Sequence, residues 1–326
     1  MKRIFIALCA VIMLGSCGND QLILPASKGS FGKVLVVVDN SKWQGDIGDE
    51  LRKRFGKLQV GLPQPEKTMS LAHVAPDGFA SMLKSTRNIL ILEVGDTTSI
   101  NILSDRYARP QKVIYVSAKS EEELESIVKE KSLDFIKTFR TADINYLQAI
   151  FREKQLDDSQ YKTLQNLNIS LTIPEEFRTV DDTGDFLWLR HHLTSGIARG
   201  AGNNNILVYS LPLQDKDSIA DRIISIRDTI GKKYIPGSKE GMHMITEEAY
   251  TPFTIETEIQ ENVAFETRGK WEVKNDWMAG PFLNYVIVDK KNDRLLVLEG
   301  FTYAPSVDKR NFLLELEAIA KSIVIN

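Results

Sequence analysis

Three short runs of aliphatic, largely β-branched residues punctuate the first half of the chain: KVLVVVD at 33–39, NILILEV at 88–94 and KVIYVS at 112–117. A strand covered on both faces needs no polar alternation, so each run predicts a buried strand of the kind that fills a parallel sheet. Between the first two the period changes. In WQGDIGDELRKRFG, 43–56, Ile47, Leu51 and Phe55 recur every four residues among charges, and Gly56 stands where a helix would stop. After the third run, Ser120 and Glu123 have capping-box spacing. The helix they open carries Leu124, Ile127 and Val128 on one face, and its pattern continues through Ile136, Phe139, Leu147, Ile150 and Phe151. Strands alternating with helices predict an α/β unit with a mostly parallel sheet.

From about Ser170 the pattern is different. SLTIPEEF, GDFLWLRHH, NNNILVYSLPL, FTIETEIQ and AFETRGKWEVK read as strands, and FLNYVIVDKKNDRLLVLEGFTYAP, 282–305, reads as a hairpin turning at DKKND. Two helical stripes accompany them, Ile219, Ile223, Ile226 and Ile230, then Phe312, Leu316, Ile319 and Ile323. This predicts an α+β unit with a mainly antiparallel sheet. Two domains, 31–160 and 161–326, suit the length at about 100–200 residues per domain.

The remaining segment, IFIALCAVIMLGSC at 4–17, follows Lys2 and Arg3 and carries no charge. It is shorter than the roughly 20 apolar residues a spanning helix needs, and it has the parts of a secretory signal peptide. Leu14-Gly15-Ser16-Cys17 resembles the lipobox of bacterial lipoproteins, with residues 1–16 cleaved, Cys17 acylated and 17–30 serving as a tether. Cys9, the other cysteine, would leave with the signal, so disulfides, cysteine-ligated zinc and a cysteine nucleophile are excluded from the mature chain. Loss of Lys2 and Arg3 leaves 39 basic against 44 acidic residues, moving the formal charge from -3 to -5. Interspersed charges of this balance argue against nucleic acid as a partner.

Candidate chemistry is sparse. His73, His191, His192 and His243 lack zinc-site spacing, and no cofactor motif occurs, so neither metal nor cofactor is expected. GIARGAGNNNI, 196–206, reads as a hairpin loop, with an anion site as its alternative. Asp181, Asp182, Asp185, Glu247 and Glu248 are the carboxylates available for glycoside cleavage, though no spacing pairs them across a cleft. Asp39 and Asn40 end one buried strand, and Asp96 and Thr97 follow another, at the carboxyl ends where open α/β sheets bind ligands. In KWEVKNDWMAGPFLNY, Trp271, Trp277 and Met278 lie among polar residues, a mixture found at recognition surfaces.

WQGDIGDELRKRFG, the C-terminal WEVKNDWMAGPFLNYVIVDKKNDRLLVLEGFTYAP and the lipobox together resemble a family of Bacteroidota lipoproteins defined as a domain of unknown function. ISLTIPEEF is faintly similar to the opening of PsbP-like α+β sandwiches. The resemblance implies a lipid-anchored envelope protein on the outer membrane, and a single acidic residue, Asp20, just after the cysteine favours the periplasmic face over the cell surface. Two functions follow: a non-catalytic binding or assembly factor for envelope proteins or glycans, which is preferred, or an envelope hydrolase whose carboxylates meet only in the fold.

Overall fold

The computed structural model describes residues 24–194, 201–213, 219–305 and 307–326. The signal segment, Cys17, the first part of the tether and residues 196–200 of the Gly-rich stretch lie outside the described residues. The aliphatic runs form strands: β1 (Lys33–Val37), then helices α1 (Asn40–Gln44) and α2 (Asp46–Phe55), β2 (Ser70–Val74), α3 (Ser81–Lys84), β3 (Asn88–Val94), β4 (Ser99–Ser104), β5 (Lys112–Ala118) and α4 (Glu121–Glu153). The sheet order is β2-β1-β3-β5-β4, with four strands parallel and β4 antiparallel at the edge. Val34, Val36, Leu90, Ile114 and Val116 point to one face, where Ile47, Leu51 and Phe55 of α2 and Leu124, Val128 and Phe139 of α4 bury them. The other face has a thinner cover, from Phe79, Leu83 and Tyr107.

Two local expectations are corrected. The helix over 43–56 breaks at Gly45 into α1 and α2, and Gly48 is needed because a Cβ there would run into the Trp43 carbonyl as the second helix starts beneath the first. The tether ends earlier than residue 30. Ser27 donates to the Arg109 carbonyl at 3.0 Å and Lys28 to the Ser85 carbonyl at 2.8 Å, so this stretch is already docked on the sheet unit.

The second unit contains α5 (Lys162–Asn166), β6 (Ile169–Ser170), β7 (Arg178–Asp182), β8 (Phe186–Leu193), β9 (Gly202–Pro212), α6 (Ile219–Tyr234), β10 (Met244–Thr246), β11 (Phe253–Ile259), β12 (Asn262–Val273), β13 (Ala279–Asp289), β14 (Arg294–Tyr303), α7 (Arg310–Ala320) and β15 (Val324–Ile325). Its eight-stranded antiparallel sheet runs β10-β12-β13-β14-β9-β8-β7, with β11 also on β12. One face packs on α6 through Ile219 and Ile223, the other on α7 through Leu313, Leu316 and Ile319. The chain is therefore an α/β unit with a mostly parallel sheet followed by an α+β unit with a mainly antiparallel one. SLTIPEEF is a strand only at Ser170; beyond it Leu171, Ile173 and Phe177 are buried without sheet pairing. The strand expected at NNNILVYSLPL is β9, which starts at Gly202, so the end of the Gly-rich stretch that overlaps it is strand and not loop.

The two units share an interface built on α4. At about 1.5 Å per residue its 33 residues reach about 50 Å, long enough to cover the first sheet with one half and meet α7 with the other. Ile144 and Leu147 pack there against Leu314 and Ala318, and the Gln148 amide donates to the Ala318 carbonyl at 2.9 Å. A second tie comes from the hairpin-like segment 57–67, bridged at Leu58 and Lys67. Its buried Glu66 carboxylate accepts the Lys309 and Arg310 N–H groups at 2.7 and 2.9 Å, capping the start of α7 with an anion.

Candidate functional site

The strand-end residues do not converge on a pocket. Asp39 is exposed and ion-paired to Lys42 at 3.0 Å, while Asn40, Asp96 and Thr97 are exposed. His73 meets the Val38 carbonyl at 2.8 Å and stacks on Trp43 at 4.7 Å between ring centres, with the Arg52 guanidinium 4.8 Å from the same indole. Asp182, one of the candidate carboxylates, accepts the Lys162 and Thr163 N–H groups at the start of α5.

The aromatic cluster divides. Trp271 is buried against Phe301, ring centres 5.3 Å apart, and its indole N–H donates to the Thr302 carbonyl at 3.3 Å. It is a core residue, because alternation along β12 turns it toward the α6 face, and it is not accessible to a ligand. Trp277 is 99% exposed, and Met278 beside it is 37% exposed. The turn that presents them is well fixed. Asn275 adopts φ 62°, Val273 donates to the Met278 carbonyl at 2.8 Å, and Asp276 accepts from the Trp277 N–H at 2.6 Å and the Ser238 hydroxyl at 3.2 Å.

A cleft of about 580 Å³ that sequence reading missed lies where the two units meet, between α4, β11 and the 57–60 segment. Its floor is an ion network. Glu317 of α7 takes Arg140 at 2.6 Å, Arg268 at 2.8 Å and Lys321 at 2.8 Å. Arg268 also donates to Glu266 at 2.6 Å, and Glu266 accepts the Tyr285 hydroxyl at 2.8 Å. Burial would raise the Glu317 carboxyl, but the three cations outweigh it and hold the group ionised. Burial likewise works against a charged Arg268, and the carboxylates of Glu317 and Glu266 overcome it.

A smaller cavity, about 150 Å³, is lined by Phe177, Glu176, His191 and Glu315. Burial, reinforced by the neighbouring Glu176 charge, pushes the Glu315 carboxyl from 4.5 to about 7. Burial also lowers His191, so this corner favours neutral groups. Among the described residues no cluster of three His, Cys, Asp or Glu could hold a metal ion, and no helix is long and apolar enough to cross a membrane.

Residues 156–322 match the model of a family described as a domain of unknown function, DUF4837, and residues 27–152 match a second, DUF8532. No curated protein matches the chain. Among solved structures, the Saccharomyces cerevisiae Ran-binding protein Mog1p is similar at 12% identity and a TM-score of 0.33, covering 48% of this chain and 90% of Mog1p. LpqN, involved in cell envelope biogenesis of Mycobacterium tuberculosis, is similar at 14% identity and a TM-score of 0.29, covering 48% of this chain and 83% of LpqN. At scores this low neither likeness extends to function.

Proposed function

The chain belongs to the DUF4837 family, and on that footing we propose that it is a non-catalytic binding or assembly factor of the bacterial cell envelope, anchored by lipid on Cys17. The observation that carries the reading is Trp277. A fully exposed indole on a turn fixed by Asp276 and Asn275 has no role in the core, and aromatic anchors of this kind supply much of the energy of recognition surfaces. Two of the three carboxylates lining the large cleft point the same way. Glu317 and Glu266 are each spent on an arginine, so neither is free to act as general acid or base.

The partner would be an envelope protein or glycan facing the periplasmic side of the outer membrane. Pull-down from native membranes with wild-type and Trp277→Ala protein tests this. Loss of specific capture with unchanged thermal stability is the expected result, and equal capture by both proteins would remove the support for a recognition turn. The anchor is tested separately: Cys17→Ser should give an uncleaved or soluble protein, and unchanged mass and membrane fractionation would refute acylation.

A hydrolase remains the second reading because Glu315 keeps a proton near neutral pH beside Glu176, as a general acid would. Its cavity, at about 150 Å³, is well below the ~300–1,000 Å³ of ligand sites.

A further inference from the structure

The lining of the large cleft has more positive charge than its own carboxylates use. Lys57, Lys137, Arg140, Arg268 and Lys321 line it against Glu256, Glu266 and Glu317, an excess of two cations. Glu317 is already engaged by three of them and Glu266 by Arg268 and a tyrosine hydroxyl. Two cations are left over: Lys57 and Lys137, both exposed on the cleft wall, are not taken up by Glu317 or Glu266. An oxyanion entering the cleft would meet these ammonium groups and gain charge-assisted hydrogen bonds from them.

The mouth has the opposite character. Leu58, Leu133 and Ile255 are 54%, 65% and 42% exposed, and they come from three separate elements that all line this cleft. Apolar side chains exposed together at the rim of a charged cleft mark a surface for an apolar group. Among the described residues no aromatic ring lines the cleft, so none of them would stack on a base or a sugar face there.

We propose that this cleft binds an amphiphilic anion, with a carboxylate or phosphate head against Lys57, Lys137 and Arg140 and an alkyl chain between Leu58, Leu133 and Ile255. None of residues 274–278 of the Trp277 turn lines this cleft.

Titration calorimetry with octyl phosphate tests it, using inorganic phosphate and octanol as half-probes. Octyl phosphate should bind at one site per chain and at least about tenfold more tightly than either half. Arg140→Gln removes a head contact but also takes a partner from the buried Glu317, so two rim variants carry the test. Leu133→Asp and Lys137→Glu, both on the outer surface of α4, should each weaken octyl phosphate about fivefold or more without moving the melting temperature. Equal binding of inorganic phosphate, equal binding of octanol, no saturable binding, or indifference to both rim variants would each overturn the proposal. Phosphatidylglycerol vesicles distinguish the source: competition assigns the head to a membrane lipid, its absence to a monomeric amphiphile, and either result supports the site.

Discussion

At the scale of single residues, the two tryptophans six positions apart make opposite predictions. Trp271→Ala should cost about 3–5 kcal/mol, since it empties a buried site between β12 and β14. Trp277→Ala should stay within about 0.5 kcal/mol of wild type in the same thermal melt. Glu315 gives a pH signature. The folded chain holds its proton to about pH 7 against 4.5 for the ordinary carboxyl, so stability present below pH 4.5 is lost as pH rises through that window. Glu315→Gln should remove that loss, and its gain over wild type at pH 8 should be on the order of 2 kcal/mol and vanish near pH 4. A melt series showing the same pH dependence in both proteins would contradict this. Neither Glu315 nor the Arg268–Glu317 pair was legible beforehand. A charged residue inside an apolar stripe reads as a helix's wet face, and only tertiary contact turned Glu317 toward Arg140 and Arg268.

At the scale of elements, caps and close approaches decide the outcome. Ser120 accepts the Glu123 N–H at 3.2 Å, while the Glu123 carboxylate reaches the Lys119 N–H at 2.8 Å, one position before the reciprocal partner of an ideal capping box. Ser120→Ala should cost about 1 kcal/mol, measured by denaturant unfolding. Gly231 in α6 makes the contrary case. Propensity alone would favour Gly231→Ala by about 1 kcal/mol, yet the added Cβ would strike the Met244 carbonyl of β10. Overpacking costs of about 1–3 kcal/mol exceed the gain, so a net loss is expected. The strands that could be read in advance are the central ones, such as β3 and β13, where continuous burial leaves an aliphatic run. Edge strands β4 and β7 escaped notice because mostly exposed residues carry no such pattern.

At the scale of the whole molecule, α4 and the Glu66 cap join the two units into one folding system. Far-UV dichroism follows both sheets, whereas fluorescence follows Trp43 in one unit and Trp188 and Trp271 in the other. Their thermal transitions should coincide, and two separated transitions would show that the interface is too weak to couple them. Glu66→Ala should lower that single transition by about 1–2 kcal/mol, because it leaves the Lys309 and Arg310 N–H groups buried without an acceptor. The fold classes were readable because a mostly parallel and a mainly antiparallel sheet leave different hydrophobic periods. The cleft between them was not, since its lining comes from residues as far apart as Lys57 and Lys321.

The position of α7 in the chain has a consequence for biosynthesis. Its helix is translated after both sheets, yet it supplies the apolar partner for the second half of α4 and the N–H groups that neutralise Glu66. A nascent chain that stops short of residue 310 therefore exposes Ile144 and Leu147 and leaves Glu66 without its N–H partners. Proteases and chaperones that patrol for exposed apolar surface would meet Ile144 and Leu147 until α7 has docked on them.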